Sequence, residues 1–158
     1  MLSLEFTETI LQIPEMKKEI LPDKLFSESR PGIRSRLIRQ FLKSCPKSLD
    51  PRPYLEEMNA IEKELLQRQG QARELESRAP AEAAALHEEL LADGSLVPHS
   101  YLWLVQYYQQ QAKPQQVLRV CQTYIDHYNA CKALDLDDPE YMPFVSMFLE
   151  IARNTDSG

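Results

Sequence analysis

A chain of 158 residues lies in the ordinary single-domain range and is long enough to bury a real core. Its 43% apolar and 27% charged content excludes wholesale disorder, and four glycines against eleven prolines argue against a turn-rich β fold. The net charge of −6 is uneven: ten Lys and Arg face seven acids in residues 1–53, four face ten in 54–93, and four face seven in 94–158. That is not the broad basic footprint needed to bind a phosphate backbone.

Proline removes an N–H and pushes the preceding residue towards extended geometry, so the prolines read as helix boundaries. Leu2, Phe6, Ile10 and Ile13 have helical spacing before Pro14, and a short piece around Met16–Leu21 stops at Pro22. After Pro31-Gly32, residues 33–43 form an amphipathic helix with Ile33, Leu37, Ile38, Phe41 and Leu42 on one side and Arg36, Arg39 and Lys43 opposite. Arg34 falls on the apolar side and must snorkel or pair. Residues 47–53 read as a loop or as a subdivision of the domain. The acidic stretch 54–92 carries one narrow stripe: Tyr54, Met58, Ile61, Leu65, Ala72 and Leu75, continued by Ala83, Leu86 and Leu90. Gly70 and Pro80 interrupt it, predicting two or three helices, and Asp93-Gly94 is a helix stop.

Pro98 opens a helix with Val97, Tyr101, Leu104, Val105 and Tyr108 on one face and Trp103 and Tyr107 on another. Ala112-Lys-Pro114 is a tight connection. Val117, Val120, Cys121, Tyr124, Ile125 and Tyr128 then form one buried stripe, and 132–139 is a linker. Residues 140–153 are apolar almost all round, which predicts a helix covered on most sides. The expected fold is all-α, a single domain over 1–158 built of antiparallel hairpins. The segment near 46–53 is either a loop within it or a subdivision between N-terminal helices (1–45) and helical hairpins (54–153).

Residues 97–153 resemble helical hairpins of the tetratricopeptide and pentatricopeptide type. Pro98-x-x-Tyr101 is echoed about forty residues later by Pro139-x-Tyr141. Tyr101, Leu104 and Tyr108 stand where the tetratricopeptide pattern has its aromatic, Leu and Tyr, whereas Val105 and Val117 replace its small residues. The resemblance implies stacked helix pairs that bury their faces only against neighbours; an irregular helical bundle remains the alternative.

Little in the sequence points to catalysis. His87-Glu88 lacks the second histidine of a metalloprotease box and reads as surface helix. Cys121, His127 and Cys131 share one helix, but three residues with a buried Cys121 fall short of a four-ligand zinc set, and nothing marks an activated thiol. No Gly-rich phosphate cradle occurs. No catalytic, metal or cofactor residue is therefore expected.

Three dispersed cysteines, no apolar run of about 18 residues and no signal-peptide pattern lead to an intracellular expectation, cytoplasmic or nuclear. The expected function is a non-catalytic protein-interaction or scaffold module, binding another protein or a second copy of itself. Its expected contact residues are Trp103, Tyr107, Tyr141, Phe144, Met147 and Phe148. The alternative is an RNA-binding module whose anionic partner meets Arg34, Arg36, Arg39 and Lys43; the plainer reading of that run is a solvated face steered by the acidic 54–92 stretch.

Overall fold

The computed structural model describes residues 27–134, 136 and 141–157. The helices expected at 2–13 and 16–21 lie outside them. The described residues form an all-helical fold of α1 (Pro31–Lys43), α2 (Arg52–Leu75), α3 (Pro80–Ala92), α4 (Pro98–Gln110), α5 (Pro114–Ala133) and α6 (Met142–Ser157). Each of α1 to α5 has proline at its first or second position, where the missing N–H costs nothing and the fixed φ is already helical. None of these helices is long and apolar enough to cross a membrane.

Gly70 does not break α2. It sits exposed in an unbroken helix, and the division falls at residues 76–79 instead. The stop at Asp93-Gly94 is a Schellman turn: Gly94 takes φ 80°, the Ser95 N–H donates to Leu90 O (3.1 Å), and the Gly94 N–H donates to Leu91 O (3.0 Å). The same turn closes α4, where Ala112 occupies the left-handed position with φ 56°. There the Lys113 N–H donates to Tyr108 O (2.9 Å) and the Ala112 N–H to Gln109 O (3.0 Å).

Consecutive helices pack on one another, and the later pairs run antiparallel. Tyr101 meets Tyr124 and Arg119 lies over Tyr108 between α4 and α5; Tyr124 meets Phe148 and Tyr128 meets Met142 between α5 and α6. The core centres on Tyr101, Tyr124 and Phe148, all fully buried, with ring centroids 4.6–5.8 Å apart. Aromatic contacts of this kind add about 0.5–1.5 kcal/mol beyond simple burial. One buried cluster runs from Ile33 on α1 to Phe148 on α6, crossing the 46–53 segment.

α1 is seated by backbone contact. The Gly32 N–H donates to Asp93 O at 2.7 Å, and Gly32 faces the Gly94 carbonyl so closely that a Cβ would lie 2.6 Å from its oxygen. Two glycines, one opening α1 and one closing α3, thus bring α1 against the α3–α4 corner. Phe41 against Tyr54 (5.0 Å) and the Arg34–Glu57 and Arg39–Glu62 ion pairs join α1 to α2.

Candidate functional site

The most concentrated chemistry lies where α2, α3 and α4 meet. Glu76 caps the end of α2, His87 stands mid-α3, and the turn at Gly94 folds α4 back so that His99 and Ser100, in its first turn, reach them. The Glu76 carboxylate oxygen Oε2 lies 2.8 Å from His87 Nε2 and 2.7 Å from His99 Nε2. His87 Nδ1 lies 2.8 Å from Ser100 Oγ. A carboxylate only accepts, so both imidazoles donate through Nε2–H, and His87 Nδ1 accepts from the serine hydroxyl. Burial holds the His87 imidazole below the usual histidine range; Glu76 pulls the other way, while His99 and Arg73 add to the lowering. His87 is therefore a neutral imidazole at pH 7.

This placement corrects the sequence expectation of a surface His87: the residue is fully buried. The inward face of α3 is Ala83, Ala84, His87, Leu90 and Leu91. An apolar stripe traced through Ala83, Leu86 and Leu90 skips the histidine, because sequence spacing alone does not fix the rotation of a short helix to within one residue. Glu76, His99 and Ser100 gave no signal beyond flanking two expected helix breaks.

Beside this node, Trp103 and Tyr107 lie half-buried along α4, stacked at 5.1 Å and 14°, and Trp103 also sits 5.1 Å from the His87 ring. The sequence separated these two aromatics from the core face of α4, and the structure leaves both partly open. Tyr108 donates to Glu88, which also pairs with Arg119 across α3 and α5.

Along α6 and just before it, the expected contact residues divide. Tyr141, Phe144 and Met147 are half-buried. Phe148 is removed from the contact set: it is 0% exposed, wedged between Tyr101 and Tyr124. Nor is α6 covered on most sides by the described residues: Met142 and Leu149, 47% and 46% exposed, form one apolar flank, and Pro143, Ser146, Glu150, Arg153 and Asn154 are exposed. Leu149 and Ala152 line an open groove of about 640 Å³ against Leu118 of α5.

The cations of α1 are partly consumed by α2, because Arg34 pairs with Glu57 and Arg39 with Glu62. Arg36 lies over the Tyr141 ring at 4.7 Å. With Arg39, Lys43 and Glu62 it lines a cleft of about 510 Å³. Cys121, His127 and Cys131 do not form a ligand or nucleophile set. Burial pushes the Cys121 thiol up to about 11 and also raises Cys131, so both stay protonated. His127 Nε2–H donates to Leu91 O at 2.8 Å, and Arg30 approaches its Nδ1 at 3.3 Å.

Compared with protein-family models, curated proteins and solved structures, the chain shows no match.

Proposed function

We propose that this chain is a non-catalytic α-helical interaction module. It binds another protein, or a second copy of itself, through aromatic and aliphatic side chains that its helices leave half-covered. The observation that carries the reading is the Trp103–Tyr107 stack, two large rings packed against each other on α4 with part of their area open. Trp and Tyr bring large contact area at small entropic cost and dominate the energetics of protein interfaces. Two flanks of α6 supply further apolar surface, Met142 and Leu149 on one side of its buried stripe and the half-buried Phe144 and Met147 on the other, with Tyr141 just before the helix. Cys121 and Cys131 are buried and protonated, which argues against covalent chemistry at either thiol.

Stacked hairpins are the architecture that supports this use. Besides their antiparallel neighbours, α3 touches α5 in a parallel sense (Glu88 with Arg119, Leu91 with His127), and Tyr101 of α4 touches Phe148 of α6. Helical repeats of the tetratricopeptide type are built on such next-neighbour contacts. The RNA reading is weaker, since Glu57 and Glu62 already engage two of its four cations, leaving Arg36 and Lys43 in the cleft. Free cysteines at 45, 121 and 131 support a reducing, intracellular setting, cytoplasmic or nuclear.

A photo-crosslinking amino acid at Tyr107 or at Leu149 tests the proposal. A discrete protein adduct is expected, lost on Trp103→Ala or Met142→Glu respectively while helical circular dichroism is retained. No adduct at either position, with monomeric mass at every concentration in light scattering, refutes it.

A further inference from the structure

We propose that Glu76, His87 and His99 form a binding site for a divalent first-row transition ion, Zn²⁺ being the best fit. The donor set is two imidazoles and one carboxylate, which suits a borderline cation; the same three-ligand combination leaves a fourth position for water in known zinc centres. The three donor atoms lie within 4.8 Å of one another and come from three different helical segments. With metal–donor bonds of about 2.0–2.2 Å and tetrahedral angles, neighbouring ligand atoms stand about 3.4 Å apart. The carboxylate contacts of 2.8 and 2.7 Å thus need to open by about 0.6 Å for an ion to enter. His99, whose side chain is 37% exposed, provides the movable member and the route in from solvent, while His87 is fixed.

The surroundings favour a ligand over a simple ion pair. Ser100 bonds the remaining nitrogen of His87, the position from which partners of metal-bound histidines set the tautomer. Its hydroxyl serves both states. Without metal it donates to Nδ1; with metal at Nε2, the imidazole takes the Nδ1–H tautomer and the hydroxyl accepts. The imidazole carries one proton in both states, on Nε2 without metal and on Nδ1 with it. The Glu76 carboxylate supplies the negative charge a divalent ion needs, and Arg73, exposed on α2, is a nearby cation acting on His87. Bound metal would tie the end of α2, the middle of α3 and the start of α4 together, beside the Trp103–Tyr107 stack. The site does not depend on the interaction reading.

Chelator-treated protein carrying Cys45→Ser, which removes the partly accessible thiol, is titrated with Zn²⁺ alone by calorimetry, with melting followed in parallel. Binding of one ion per chain is expected, and at about a hundredfold excess over Kd a rise in melting temperature of about 5–10 °C. His99→Ala and Glu76→Gln should each abolish both signals while keeping the metal-free melting temperature. Failure of the wild-type set to bind Zn²⁺ saturably, or retention of one-to-one binding in either variant, overturns the proposal. If Glu76→Gln lowers the metal-free melting temperature, Co²⁺ decides: tetrahedral ligand-field bands in the Cys45→Ser protein that vanish in His99→Ala support the site, and their absence or persistence overturns it.

Discussion

Gly32 and Gly70 both sit inside helices, and replacing each by alanine should move stability in opposite directions. At Gly32 a Cβ would lie 2.6 Å from Gly94 O, 2.7 Å from its carbonyl carbon and 3.0 Å from Asp93 O. Carbon atoms pack best at about 3.5–4.0 Å, so backbone must separate from backbone by nearly 1 Å, with no flexible side chain to absorb the strain. Overpacking of this kind costs about 1–3 kcal/mol. Stretching the 2.7 Å Gly32–Asp93 hydrogen bond adds about 0.5–1.5 kcal/mol. The helical preference of alanine returns at most about 1 kcal/mol, and less in the first turn. The net expectation is a loss of about 2–3 kcal/mol, a fall in melting temperature of about 5–10 °C.

At Gly70 no atom lies within 4 Å of a built Cβ, so only the preference term remains and Gly70→Ala should gain about 0.5–1 kcal/mol. Thermal and urea unfolding followed by circular dichroism measure both. A Gly32→Ala protein as stable as wild type would refute the seating of α1 on the α3–α4 corner. A Gly70→Ala protein destabilised to the same degree would show that the assay reports something other than that contact.

Two further expectations concern the α3–α5 region and the α4 turn. Burial lowers the His127 pKa, aided by Arg30 and opposed by the Leu91 carbonyl, Asp126 and Glu28, so the folded imidazole stays neutral to a lower pH than the unfolded one. The unfolded state then binds more protons, and stability falls as pH drops below about 6.5, by at most about 1.4 kcal/mol per unit from this residue. His127→Gln should flatten urea-derived stability between pH 6.5 and 5 relative to wild type, and identical slopes would exclude the assignment. Ala112 holds φ 56°, a conformation that costs a non-glycine residue about 1 kcal/mol. Ala112→Gly should therefore raise the melting temperature by about 1–3 °C, and a lower value would mean that the turn is not strained by its alanine.

The helices themselves were readable because their signals are local. Proline at the start of a helix and a 3.6-residue apolar rhythm act through the backbone and the nearest turns, which is why the boundaries near 31, 80, 98 and 114 follow from the residues. Arg34, displaced onto the apolar side, was legible as a residue needing a partner, though not that the partner is Glu57. Gly70 misled as a break because an exposed glycine costs a long helix only about 1 kcal/mol, which continued packing on either side offsets.

What sequence alone determined about this chain is thus its helical class, most helix starts and the aromatic core stripe of α4 and α5. Tertiary structure decided the rest. It turned α3 so that His87 faces inward against Glu76, closed the α4 corner so that His99 joins them, and buried Phe148 while leaving Leu149 outside. Each of these depends on the rotation of one helix by a fraction of a turn against a neighbour, and on contacts between residues 11 to 47 positions apart. Local spacing sets that rotation only to within about one residue; packing against the neighbouring helices fixes the remainder.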